Sequence, residues 1–138
     1  MDKKIRIKVE GLQPGAGEEA IRMKASGSYH FRRNKHYIQY EEADEEGGIV
    51  KNTLKIAPGR IEIIKDGGIR AHMIFDRNEA TNAVYHTSFG SLTFRILTTE
   101  MSVMQEMHEI LVSMRYTLYE GDNWLSDNQL TICINSDK

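Results

Sequence analysis

A single cysteine, Cys133, is found among the 138 residues, so no internal disulfide can form and the chain suits a reducing compartment. No apolar run approaches the roughly 20 residues that span a bilayer. The stretch Met1–Glu10 interleaves Lys3, Lys4, Arg6 and Lys8 with Ile5, Ile7 and Val9, where a signal peptide needs an unbroken apolar segment. A soluble cytoplasmic protein with no membrane association is expected. Charge of one sign is also scarce. The net charge of -2 lacks the broad basic surface that nucleic-acid binding needs. There is no glycine-x-serine-x-glycine elbow, phosphate loop, dinucleotide fingerprint or cysteine pair. His30, His36, His72, His86 and His108 show no metal-ligand spacing and read as surface or interface residues. No catalytic residue, metal or cofactor is therefore expected.

What is present is alternation. Hydrophobic residues at 40% and charged residues at 28% describe an ordinary globular chain whose length fits one domain over residues 1–138. From Arg60 to Thr99 four period-two runs follow one another: Ile61 and Ile63; Ile69, Ala71, Met73 and Phe75; Ala83, Tyr85 and Thr87; Leu92, Phe94, Ile96 and Thr98. Their connections are short enough only for antiparallel turns. A three-residue loop of Asp66, Gly67 and Gly68 sets Ile63 across from Ala71, Ile61 across from Met73 and Glu62 across from His72, keeping apolar side chains on one face.

The flanking chain alternates as well. Strand one spans about Lys3–Glu10, and Pro14, Gly15 and Gly17 break it. From Glu18 to Arg32 the inward residues are Ile21, Met23, Ala25, Tyr29 and Phe31, with a bend or bulge at Gly27. A two-residue turn at Asn34-Lys35 places Phe31 opposite Ile38 and Tyr29 opposite Tyr40. Leu54 and Ile56 mark the next strand, which Pro58-Gly59 turns. Between Glu100 and Met114, Met101, Met104, Met107 and Leu111 recur near a helical period, so a short helix or irregular turn is an alternative to strand there. Strict alternation resumes from about Glu109 to Tyr119. Asp122-Asn123 turns the chain into a last strand with Leu130, Ile132 and Ile134 inward and Cys133 outward. About 8–10 short strands with hairpin connections predict an all-β, antiparallel up-and-down barrel, which leaves no open sheet edge.

The order and spacing of Gly27-Ser28-Tyr29, Tyr37-Ile38-Gln39-Tyr40 with Glu42, Leu54-Lys55-Ile56, Met73 with Phe75, Tyr85-His86-Thr87-Ser88-Phe89-Gly90, Thr98 and Tyr116 give the chain a family resemblance. It resembles the YwiB-like family of uncharacterised bacterial proteins from about Gly27 to Ile134. The resemblance implies a calycin-like, lipocalin-like barrel in a bacterial cytoplasm and supplies no activity to carry over. Lys35 and Ser88 depart from the family's turn residues, and Trp124 does not provide a lipocalin glycine-x-tryptophan signature.

A barrel of this size either fills with side chains or holds one small ligand. Parity turns Tyr40, Tyr85, Thr87, Thr98 and Tyr116 inward, beside Met73 and Phe94. These residues suit a small, partly apolar ligand oriented by a few hydroxyls. The expected function is non-catalytic binding of such a ligand. The alternative is a solid-core barrel acting as a protein-interaction or homodimerisation module. Other constellations read as surface chemistry. Glu62 with His72 is a cross-strand contact rather than an acid-base couple. The carboxylates from Glu41 to Glu46 form a solvated loop rather than a calcium site. Tyr29, Phe31 and Tyr37 near Arg32, Arg33 and Lys35 have the composition of a single-strand binder, but parity assigns two of the aromatics to the core.

Overall fold

Side chains that alternate along the sequence alternate across a barrel wall. The structure, a computed structural model, describes residues 1–13, 20–44 and 46–137. The expected loop at Pro14, Gly15 and Gly17, the start of the second run at Glu18, and Glu45 of the acidic stretch lie outside the described residues. The strands are β1 (Lys4–Leu12), β2 (Ile21–Arg32), β3 (Lys35–Ala43), β4 (Ile49–Ala57), β5 (Arg60–Asp66), β6 (Arg70–Asp76), β7 (Thr81–Thr87), β8 (Gly90–Gln105), β9 (Glu109–Glu120) and β10 (Asn123–Ser136). Each pairs antiparallel with its neighbour in sequence. β1 pairs with β10 from Ile5 opposite Ser136 to Leu12 opposite Gln129, which closes the barrel. The expected up-and-down topology is observed, with ten strands among the described residues.

The barrel has a filled half and a looser half. Ile5, Ile38, Ile56, Ile61, Phe75 and Ile134 are almost completely buried, and all lie toward the end that carries the chain termini and the Pro58-Gly59 turn. Each such side chain contributes about 1.5–3 kcal/mol on burial. Toward the other end, Val9, Met23, Met73, Tyr85, Tyr116 and Leu130 are only partly buried. We call these the closed and open ends.

Two hairpin registers differ from expectation by two residues, and neither shift turns a side chain to the other face. Between β2 and β3 the turn is Arg33-Asn34, with φ of 52° and 65°, so Tyr29 faces Ile38 and Phe31 faces His36. A two-residue turn of this twist needs positive φ at both central positions. Arg33 and Asn34 supply it, while Lys35 joins β3 opposite Arg32. Phe31, at the closed-end rim, is consequently exposed rather than in the core. Between β5 and β6, Ile63 faces Met73 and Lys65 faces Ala71; the turn is Gly67-Gly68-Ile69, and Ile69 is exposed instead of inward. The last hairpin also differs from expectation, turning at Gly121-Asp122 rather than Asp122-Asn123, with Glu120 opposite Asn123 and a positive φ at Gly121. Gly27 makes no bulge. Its pairing runs through without a register shift on both sides, and a Cβ there would overlap the Gln39 carbonyl and lie 3.1 Å from Tyr40 Cβ. The glycine permits a close approach of β2 to β3.

The helix-like segment is strand. β8 continues to Gln105, and the irregularity is one extra residue: Thr98 opposes Tyr116, but Glu100 opposes Arg115. This bulge at Thr99 reverses the phase, so inward Ile96 and Thr98 are followed by Met101 opposite Met114 and Val103 opposite Val112. The resulting i, i+3 step from Thr98 to Met101 imitates a helical period. Met101 packs against the core, whereas Met104 and Met107 are exposed.

Candidate functional site

Toward the open end the inward rows change from branched aliphatics to tyrosines, amides and charges. Tyr40, Asn52 and Lys65 are successive cross-strand partners on β3, β4 and β5, with Glu42 one inward step beyond Tyr40. Tyr85 on β7 and Tyr116 on β9 reach inward from the opposite wall. These walls enclose a cavity of about 280 Å³ lined by the three tyrosines, Met73, Glu42 and Lys65, and by an apolar surface that includes Leu54 and Ile63. That volume equals roughly nine waters' share of bulk liquid.

The hydroxyls are poised as neutral donors. Burial raises the pKa of Tyr85, Tyr116 and Tyr40; Tyr116 is pushed up to about 12, with Tyr85 adding to the effect, and Tyr40 goes higher still beside Glu42. Tyr85 donates to Met73 Sδ at 3.1 Å, a weak acceptor. Among the described residues, the Tyr40 and Tyr116 hydroxyls have no protein hydrogen-bond partner, yet they are not sealed within the wall.

A compact polar network stands at the mouth. Lys65 Nζ donates to Glu42 Oε1 at 2.8 Å and to Asn52 Oδ1 at 2.9 Å, while Asn52 Nδ2 donates to Glu42 Oε1 at 3.2 Å. Asn52 is buried to 1% exposure, where its amide would be costly unless paired. It fixes the ion pair in position.

Of the residues expected to meet a ligand, Tyr40, Met73, Tyr85 and Tyr116 share this cavity. Phe94 backs the site, its ring edge-on to Tyr85 at 5.7 Å. Thr87 belongs to the β7–β8 turn, accepting from Phe89 N and donating to Gly90 O, both at 3.1 Å. Thr98 is buried in the wall opposite Tyr116, and its Oγ1 has no partner among the described residues. Glu42, Asn52 and Lys65 were not anticipated as site residues. Their signal was parity: Glu42 continues Ile38 and Tyr40, Asn52 precedes Leu54 and Ile56, and Lys65 follows Ile61 and Ile63.

Other constellations resolve separately. His36 is buried rather than at the surface, and the Tyr29 hydroxyl lies 2.7 Å from its Nδ1. Glu62 Oε2 meets His72 Nε2 at 2.9 Å on the outer face. They meet diagonally, since Glu62 faces Ile74 and His72 faces Ile64. Asp44 Oδ1 accepts from Glu46 N at 2.9 Å and Gly48 N at 2.7 Å, so its carboxylate organises the turn. Among the described residues no group of three or more His, Cys, Asp or Glu side chains suits a metal ion, and no helix is long and apolar enough to cross a membrane.

Fold and site together define a closed β-barrel with one half of its interior open as a small, hydroxyl-lined cavity. The chain belongs to the family described as a domain of unknown function, DUF1934, which matches residues 5–132. It is 25% identical over 121 residues to the uncharacterized beta-barrel protein YwiB of Bacillus subtilis (strain 168), covering 88% of this chain and 84% of that protein. The crystal structure of the ywiB protein from Bacillus subtilis matches with a TM-score of 0.86 at 23% identity, covering 99% of this chain and 93% of that one. The family expected from the sequence motifs is thus found, and the solved structure shares the fold.

Proposed function

We propose that the protein binds a small, partly apolar molecule in the open half of the barrel and performs no chemistry on it. The observation that carries this reading is the convergence of the Tyr40, Tyr85 and Tyr116 hydroxyls on one cavity whose remaining wall is largely apolar. An apolar wall with a few directed polar groups is how ligand pockets combine affinity with orientation. The lone cysteine supports a cytoplasmic setting. Native mass spectrometry of the protein purified from its own host tests the reading. A discrete excess mass lost on denaturation is expected; a bare mass in a stable dimer counts against it.

The second reading, a homodimer or protein-interaction module, has its own support. Ile21, Ile49, Ile69 and Phe89 are all exposed at the open end, Phe89 to 99%. Such an apolar rim suits a surface covered by a partner. Light scattering across a dilution series separates the two, since a dimer built on this rim dissociates on Phe89→Ser and a monomeric binding barrel has nothing to dissociate.

A further inference from the structure

The polar groups at the mouth restrict what the cavity can hold. Among the described residues, Glu42 and Lys65 are the only charged side chains that line it, and they face each other at 2.8 Å. The wall therefore carries no net charge. Both side chains are partly buried, at 27% and 30% exposure. An ionised ligand would lose hydration on entry and find no uncompensated opposite charge unless it broke this pair, which would leave one member partly desolvated and unpaired.

Neutral hydrogen bonding, by contrast, is available in both senses. Both protein donors to Glu42, a lining residue, bind Oε1, which leaves Oε2 as an acceptor without a protein donor among the described residues. Lys65 commits two of its ammonium protons, to Glu42 and Asn52, and the third remains, alongside the O–H groups of Tyr40 and Tyr116. A matching head group must donate and accept within a few ångströms while remaining uncharged. The body attached to it must be compact and apolar, to lie against Leu54, Ile63 and Met73 within about 280 Å³.

Building on the binding reading above, we infer that the ligand class is an uncharged, compact amphipathic molecule with a carboxamide-like head that donates to Glu42 and accepts from Lys65 or a tyrosine hydroxyl. Carboxylates and cations of the same shape are disfavoured by the paired charges.

Benzamide, benzoate and benzamidine test this, because they share a shape and differ in charge. Each is titrated into the isotope-labelled full chain, with amide shifts followed around Tyr40, Lys65, Tyr85 and Tyr116. Benzamide is expected to bind in the millimolar range or better and at least about tenfold more tightly than either ion. Glu42→Gln, which leaves the Lys65 charge uncompensated, should move the preference toward benzoate, and Lys65→Met should move it toward benzamidine. Preference of the unaltered protein for either ion, or the same selectivity in both variants, overturns the ligand class while cavity-localised shifts leave the binding reading standing. If no probe shifts these resonances at roughly 10 mM, the cavity reading fails and the inference with it.

Discussion

Replacing Thr98 with valine exchanges a hydroxyl for a methyl of nearly the same size, at a position where the hydroxyl has no partner among the described residues. Thr98 is 7% exposed, and its Oγ1 is buried without a partner among the described residues. A hydroxyl in that state costs about 1–3 kcal/mol in proteins. Valine removes that cost, keeps the β-branched shape that fits a strand, and leaves the backbone pairing with Tyr116 intact. The variant should therefore be more stable by about 1–3 kcal/mol, reversing the usual sign for a buried polar substitution. In urea, with a slope of about 1–3 kcal/mol per molar, the midpoint should rise by roughly 1 M, the central ratio of the two ranges. Thermal unfolding should move up by roughly 3–5 °C per kcal/mol. A variant less stable by more than about 0.5 kcal/mol would show that the hydroxyl is bound, at the bulge or by Tyr116, and would refute the reasoning. Because the hydroxyl is sealed from the cavity, ligand retention should be unchanged. A loss of retention would return Thr98 to the binding surface.

Tyr85→Phe combined with Tyr116→Phe should weaken ligand retention in native mass spectrometry while the fold persists by circular dichroism; unchanged retention would remove both hydroxyls from the site. Phe75→Ala deletes a completely buried ring that lies 4.9 Å from Tyr116, and should cost about 3–5 kcal/mol in urea unfolding. A loss below about 1.5 kcal/mol would mean that the neighbouring side chains collapse into the gap. Burial lowers the pKa of His36, against the opposing Gln105 contact, so the unfolded chain takes up this proton first on acidification. Its contribution is therefore full above about pH 6.5 and is lost as the pH falls from there to the lower folded value, a decline that His36→Gln should flatten in urea midpoints measured across that window.

Faces were legible in the sequence; registers were not. The period of a strand is two, so alternation assigns each side chain to inside or outside but leaves the pairing undetermined by any even slip. Both misplaced hairpins, at Arg33-Asn34 and Gly67–Ile69, lie two residues from the expected register, and both preserved the apolar face. Turn chemistry had to choose, and it was ambiguous. No glycine follows Asn34, and Asp66-Gly67-Gly68-Ile69 permits more than one loop. The bulge at Thr99 was illegible for a different reason. A single extra residue shifts the phase of β8 relative to β9, and without the partner strand its i, i+3 step cannot be told from a helical turn.

The site was half legible for the same physical reason. The inward placement of Tyr40, Tyr85, Tyr116 and Met73 was legible because an aromatic or thioether at an inward position fits the rule that inward means apolar. Glu42, Asn52 and Lys65 obey the same parity but break that rule, and a charged inward position at a strand end reads as the beginning of a loop. Yet an ion pair held inside a barrel is weak support for stability, since apolar residues of similar size would serve the fold as well or better. Places where a sequence contradicts its own pattern at such a cost are where function is to be sought. Here the charged residues that break the pattern, Glu42 and Lys65, stand with Asn52 at the open end. At the closed end Ile38, Ile56 and Ile61 are buried on the same three strands, and the polar inward residue there, His36 on β3, meets the Tyr29 hydroxyl at 2.7 Å. The change from apolar to charged or amide inward residues falls within single strands, between Ile38 and Glu42 on β3, between Leu54 and Asn52 on β4, and between Ile63 and Lys65 on β5.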